Sequence, residues 1–232
     1  MSSTGAARAM RRTRAGVMAV RAATAACATL LLAACGGGAD AGSGAEAEAA
    51  WLAKDQVKAV LPDQTAMPGW QVTERPASGS METPMMESQF CPGAGAQGCE
   101  RFRFFGSAAF RRDDDKAEAR FWLVTYQDEL DAKAAYEVLW RNTWRKSGTE
   151  NVDLGTVGQQ RAATAGPAGR HGEAVTGQIR VGTAILWIGA SGSTVAPDRL
   201  DKDFPKHIAA LFAERAQQAQ NGDKPSAALD RT

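Results

Sequence analysis

The sequence contains no hydrophobic run long enough for a transmembrane helix. Its main apolar run, from Ala22 to Ala34, is about 13 residues long, whereas a spanning helix needs roughly 20. The chain also has only two histidines, His171 and His207, and no Cys-x-x-Cys pair, so we expect no metal site and no cofactor. Because no serine or cysteine motif accompanies these histidines, no catalytic set is predicted and we do not expect an enzyme.

Acidic residues are absent before Cys35, where the chain instead carries five arginines: Arg8, Arg11, Arg12, Arg14 and Arg21. Removing these five from the 27 basic residues leaves 22 against 26 acidic residues, a net charge near −4 for the remaining chain. Nucleic-acid binding requires a clustered basic surface, so we expect no nucleic-acid partner. The same composition offers no polybasic patch for anionic lipid.

Residues 1–34 are predicted to be a signal peptide, because a basic start, a short apolar stretch and small residues precede Cys35. Leu32-Ala33-Ala34-Cys35 resembles the lipobox of bacterial lipoproteins, in which the cysteine thiol takes a diacylglyceryl group and becomes the mature N-terminus. The resemblance implies cleavage before Cys35 and a location on the outer face of the cytoplasmic membrane, with acyl chains such as palmitate as the anchor. A soluble secreted protein is the alternative. Translation begins at Met1 or Met10.

The remaining chain is predicted to hold one domain. Residues 35–48 are mostly Gly, Ala, Ser and acidic residues with nothing to bury, which is typical of a flexible tether. We expect a single α+β domain over 49–220 and a disordered tail over 221–232. This length is enough for one domain with a hydrophobic core.

Two cysteines, Cys91 and Cys99, lie inside the predicted domain. Outside the cytoplasm we expect them to form a disulfide, and half of a metal site is the alternative. Residues 93–98 between them match G-x-G-x-x-G, but the dinucleotide fingerprint needs a strand before it and a helix after it. A strand pattern follows here instead, so we predict no nucleotide site.

Hydrophobic periodicity predicts a mainly antiparallel sheet flanked by an N-terminal, a central and a C-terminal helix, an α+β fold. Both faces of the segment Arg120 to Gln127 are apolar, which indicates a central strand. Helices are expected over 47–61, 128–146 and 203–218; the other extended segments are 71–74, 101–110, 152–157, 161–164, 174–181 and 184–190, the last two forming a hairpin.

The central helix carries an aromatic stripe formed by Tyr136, Trp140 and Trp144 at i, i+4 and i+8. These three side chains are the candidate ligand-facing residues, since ligand pockets are largely apolar. Packing of the stripe against the sheet is the alternative. A substitution at Trp144 should separate the two hypotheses.

Four segments carry a resemblance to a known group: Met67-Pro68-Gly69-Trp70, the pair Cys91 and Cys99, residues 134–144, and residues 179–182 followed by 185–188. With the order of elements, they resemble small actinobacterial lipoproteins that share the extracellular sensor domain of some serine/threonine kinases. More loosely, the chain is similar to the α/β/α sandwich of the PsbP family. The kinase sensors usually carry a second cysteine pair, which this chain lacks, so their disulfide-framed cleft is not carried over.

The resemblance implies a sensing or binding module without enzyme activity. We therefore expect a non-catalytic, membrane-anchored lipoprotein that binds a small apolar ligand or an envelope protein. The first alternative is a structural lipoprotein that tethers a partner protein at the membrane. The second is a cell-envelope hydrolase, for which the sequence offers no motif.

Overall fold

Seven strands form one antiparallel sheet in the described part of the chain. The structure is a computed structural model that describes residues 49–80, 101–114, 116–145, 148–167, 173–192 and 203–230, apart from the side chain of Trp144. The elements are α1 (Lys54–Val60), β1 (Gln71–Ser80), β2 (Phe104–Arg111), β3 (Glu118–Thr125), α2 (Glu129–Leu139), a π-helical turn (Trp140–Trp144), β4 (Glu150–Asn151), β5 (Gln160–Pro167), β6 (Glu173–Val181), β7 (Ala184–Ser191) and α3 (Phe204–Gln220).

The strand order is β1-β2-β3-β7-β6-β5-β4, and every neighbouring pair is antiparallel. Strands β3 and β7 lie at the centre, where Phe121 pairs with Ile188 and Trp122 with Trp187. A strand with apolar residues on both faces must be covered on both sides, which explains the central place of β3. The predicted α+β fold with three flanking helices and the β6–β7 hairpin are confirmed.

One face of the sheet is covered by α1 and α3. Phe121 on β3 packs edge-on against Phe110 on β2 and Phe212 on α3, with ring centroids 6.0 and 5.2 Å apart. Gly106 on β2 lets α1 approach closely, because a Cβ there would lie 2.9 Å from a methyl of Val57. These contacts form the larger of two hydrophobic clusters.

The opposite face is covered by α2 over part of its area. Val124, Ile185 and Trp187 of the sheet are fully buried beneath Ala132 and Leu139 of the helix. The side chain of Asp128 caps α2 by accepting a hydrogen bond from the backbone N–H of Asp131 at 2.8 Å. The predicted helix over 128–146 is therefore present, but its regular part ends at Leu139 and continues as the π-helical turn.

Three further segments differ from the sequence-based expectation. Helix α1 begins at Lys54 rather than 47, because the N–H of Ala49 and the C=O of Ala50 bond to side chains elsewhere in the chain. Strand β1 continues through Pro76 to Ser80, since a proline is tolerated on an edge strand at a register shift. Residues 152–157 are not a strand: the chain turns at Gly155, whose φ is +76°.

Residues 223–230 lie against the domain, although they fall within the predicted disordered tail over 221–232. The N–H of Leu229 donates to the carbonyl of Ala66 at 2.9 Å, and the N–H of Ser226 donates to Gln218 at 2.7 Å. Ala227 and Leu229 pack partly buried against the larger cluster. Small residues with two apolar anchors show no periodicity, so no sequence pattern indicates this packing.

The signal peptide (1–34) and the tether (35–48) lie outside the described residues and remain predictions. All the described residues, which lie between 49 and 230, belong to one compact unit, Gly44–Thr232. Within the described ranges, no helix is long and apolar enough to cross a membrane.

Candidate functional site

A cleft of about 700 Å³ opens between α1, the loop that follows it and the edge strand β1. We call it the α1–β1 cleft. It is larger than two other cavities of about 370 and 190 Å³, which lie beside Gly148 and beside Arg120. Its lining residues are Asp55, Lys58, Ala59, Leu61, Asp63, Gln64, Val72, Arg75, Pro76 and Arg215.

The helical wall of the cleft is fixed at its start by a local hydrogen bond. The side chain of Gln56 reaches back to accept from the backbone N–H of Ala53 at 2.9 Å, so it satisfies a donor at the helix N-terminus. At the other end, Leu61 leaves the helical conformation with ψ of 135°, and Pro62 follows. Lys58 and Ala59, near the end of α1, are exposed and line the cleft.

The loop after α1 is held by side chains that bond to its own backbone. Asp63 accepts hydrogen bonds from the N–H groups of Thr65 and Ala66, both at 3.0 Å. Gln64 donates to the carbonyl of Trp70 at 2.6 Å. Trp70 in turn is 4% exposed and stacks on Phe204 of α3, with ring centroids 4.9 Å apart, so the Pro-Gly-Trp turn anchors the loop in the core.

Arg215 on α3 lies at the floor of the cleft and is only 5% exposed. Its guanidinium donates to four backbone carbonyls, those of Ala59 (2.8 Å), Val60 (2.9 Å), Leu61 (3.3 Å) and Ala227 (2.9 Å). Three of these lie at the C-terminal end of α1, where helix carbonyls lack intrahelical partners. Arg215 therefore joins α1, α3 and the C-terminal segment through one charged group.

Burial lowers the pKa of Arg215, and the negative charge of Asp63 acts in the opposite direction. An arginine remains protonated at neutral pH even so. Of the other charged residues in the lining, Lys58 and Arg75 are basic and Asp55 is acidic. The cleft thus combines three positive and two negative side chains with apolar surface from Leu61, Val72 and Pro76.

The predicted aromatic stripe lies elsewhere, between α2 and the sheet. Tyr136 is 3% and Trp140 is 8% exposed, and neither lines the three cavities described above. The side chain of Trp144 lies outside the described part of the structure. A ligand-facing role of the stripe remains a prediction, while the surroundings of Tyr136 are those of a core residue.

A buried hydrogen-bond network fastens Tyr136 to the sheet through Gln178, which is fully buried on β6. Gln178 donates to the carbonyl of Tyr136 at 2.7 Å and accepts from the indole N–H of Trp187 at 2.7 Å. The Tyr136 hydroxyl donates to the backbone carbonyl of Gln178 at 3.3 Å. Burial, followed by the charge of Glu137, raises the pKa of Tyr136, so the hydroxyl stays protonated.

Replacing Gln178 by leucine should lower the free energy of unfolding by about 2 kcal/mol, because the buried indole N–H of Trp187 loses its partner. The double variant Gln178→Leu/Trp187→Phe lacks both partners. Its loss of unfolding free energy should be roughly 1 kcal/mol smaller than the sum of the losses in the two single variants. Urea unfolding of the unchanged protein, the two single variants and the double variant measures this coupling. Strict additivity would contradict the assigned bond.

Other residues named from the sequence cannot be placed. Cys35, Cys91 and Cys99 all lie outside the described residues, so the lipid site and the disulfide remain predictions. In the described ranges, no group of three or more His, Cys, Asp and Glu side chains is arranged to hold a metal ion.

The cleft was not predicted from the sequence, although one residue pattern indicated a buried polar group beside it. Arg215 occupies the apolar stripe of α3, among the buried residues Phe212, Ala216 and Ala219. An arginine on a buried helix face must find several acceptors, so its position indicated a polar floor within the core. Three of its four acceptors lie about 155 residues earlier in the chain, so their identity had no local signal.

Neither a protein-family model nor a curated protein sequence matches the chain. Among solved structures, it is similar to the extracellular domain of PknH from Mycobacterium tuberculosis. The two are 12% identical, with a TM-score of 0.45, over 75% of this chain and 98% of that one. We transfer no residue role or ligand from that domain to this chain.

Proposed function

We propose that this protein is a non-catalytic binding module that is held on the outer face of the cytoplasmic membrane by a lipid on Cys35. Its ligand would be a small apolar or amphipathic molecule bound in the α1–β1 cleft. The observation that carries the proposal is the cleft itself, whose volume of about 700 Å³ falls in the usual range of small-molecule sites, roughly 300–1,000 Å³.

The lining of the cleft suits an amphipathic ligand. Leu61, Val72 and Pro76 supply apolar surface, while Lys58 and Arg75 can orient a polar end. By contrast, the interface between α2 and the sheet is filled by the protein's own side chains, with Trp187 fully buried. The cleft is therefore the better candidate for a helix–sheet ligand site.

Replacing Ala59 by tryptophan should abolish ligand binding, because Ala59 is exposed and lines the cleft, so a large ring there would occupy it. Ala134→Trp is the matched control: this alanine is also exposed but lies on α2. The two variants should unfold within about 0.5 kcal/mol of the unchanged protein, as is usual for surface substitutions. The measurement is mass spectrometry of an organic extract of the natively purified protein.

A stoichiometric small molecule in the unchanged protein and in the Ala134 variant, but not in the Ala59 variant, would support the proposal. If both variants retained the molecule equally, the cleft would not be its site. A stable protein without a bound molecule would favour the alternative function, in which the protein tethers an envelope protein. Crosslinking in intact cells would then be expected to recover one dominant partner.

A further inference from the structure

Two large apolar side chains stand out as exposed in the described part of the chain. Trp51 is 51% and Leu130 is 79% exposed. Trp51 is nevertheless held in place, since its ring stacks on Phe104 with centroids 6.2 Å apart and planes 16° from parallel. A fixed, half-exposed indole presents a defined surface to whatever lies outside the protein.

Both side chains lie at the same end of the sheet. The backbone N–H of Ala49, two residues before Trp51, donates to the carboxylate of Glu129 at 3.1 Å, and Leu130 is the next residue. Phe104, beneath Trp51, begins β2. We call this end of the sheet, where Trp51 stacks on the side of α1 and α3 and Leu130 lies on α2 on the other side, the Trp51–Leu130 end.

Two acidic side chains at this end lie close to cations. Glu129 lies 3.5 Å from Arg180, and Asp131 lies 3.2 Å from Arg101. Leu130 therefore lies in sequence between two acids that are each paired with an arginine. An end with such paired charges can approach a phospholipid bilayer without strong repulsion.

We propose that the Trp51–Leu130 end rests on the bilayer, as a second membrane contact beside the lipid. This inference rests on the proposed lipid at Cys35. Tryptophan favours the membrane–water interface, where its ring meets acyl chains and its N–H meets water. Leucine favours the apolar side of the same boundary.

The position of Cys35 in the sequence supports the bilayer as the occupant. The described chain starts at Ala49, about 14 residues after Cys35, and that length spans at most about 50 Å even when fully extended. Because the N–H of Ala49 bonds to Glu129, the described chain enters the domain at the Trp51–Leu130 end. Contact with the lipid becomes an intramolecular event, for which a small apolar surface is sufficient.

The test uses the mature lipidated protein in vesicles of phosphatidylglycerol and bromine-labelled phosphatidylcholine, with tryptophan emission as the readout. Bromine quenches only rings that approach the lipid. Because the chain has six tryptophans, we expect the brominated lipid to remove about one sixth of the emission, and Trp51→Phe to abolish that quenching. Phenylalanine preserves the stacking on Phe104 and hence the fold.

Leu130→Ser should reduce the quenching of Trp51, whereas the control Ala134→Ser, exposed on the same helix, should leave it unchanged. Intact-mass measurement of each sample reports the lipid on Cys35 separately. A lipidated protein whose quenching is the same with and without Trp51 would overturn the membrane contact and leave the anchored binding module standing. A mature chain without lipid would overturn both.

Discussion

Replacing Arg215 by methionine should lower the free energy of unfolding by about 3 kcal/mol, because four backbone carbonyls lose a charged donor at once. Methionine retains most of the apolar volume of the side chain, so the loss reports the hydrogen bonds rather than a cavity. Urea unfolding followed by tryptophan fluorescence measures the change in midpoint.

Arg141→Met is the matched control for this change. Arg141 also donates to one backbone carbonyl, that of Glu137 at 3.2 Å, but it does so on the exposed surface of the helix. We expect its loss to cost under about 0.5 kcal/mol. Arg215→Lys should be intermediate, because an ammonium group cannot reproduce the planar fork that reaches α1 and Ala227 together.

The Arg215 variant also has a consequence for the cleft. Without the guanidinium, the C-terminal end of α1 loses its attachment to α3, so the wall that carries Lys58 and Ala59 should loosen. The backbone amides of α1 should then exchange faster than in the unchanged protein, while the exchange rates of the amides of β3 should change much less. An Arg215 variant that unfolds at the unchanged midpoint, with α1 protected as before, would contradict this role.

Replacing Cys35 by alanine should move the protein from the membrane fraction to the soluble fraction almost completely. Each buried methylene of an acyl chain contributes about 0.8 kcal/mol, and two or three chains hold a protein on a bilayer stably. The two exposed side chains of the Trp51–Leu130 end are too small a contact to replace the acyl chains, and a net charge near −4 from Cys35 on adds no attraction to anionic lipid. Cell fractionation and immunoblotting measure the distribution.

Cys27→Ala is the control for this experiment, since Cys27 lies inside the predicted signal peptide and should be absent from the mature protein. Its distribution should be unchanged. If the Cys35 variant stayed in the membrane fraction after a carbonate wash, another element would hold the protein there. If the unchanged protein were already soluble, the alternative of a secreted protein would be favoured.

Local patterns in the sequence were sufficient where one strand or helix faces a uniform environment. The segment around Trp122 has apolar residues on both faces and lies at the centre of the sheet. The apolar stripe of α3, including Ile208 and Phe212, is buried as expected. The β6–β7 hairpin follows from two apolar runs separated by Gly182-Thr183, because a two-residue turn joins antiparallel neighbours.

Sequence patterns were insufficient where a polar group finds its partner far along the chain. Strand β1 continues past Pro76 because it is an edge strand, and edge position is a property of the whole sheet. Ala49 and Ala50 lie outside α1, because Glu129 and Thr183 bond to their backbone. Helix propensity is outweighed by these contacts.

The fold class and the central strand follow from local sequence patterns, because strand alternation and helical periodicity extend over only a few residues each. The lipid site at Cys35 is a prediction from a similarly short pattern. The position of the cleft, by contrast, depends on the folded chain, since its lining joins α1 and β1 to Arg215 on α3. That assembly depends on one buried guanidinium that must satisfy its donors in a nonpolar interior. The acceptors available to it are carbonyls that only folding brings within reach.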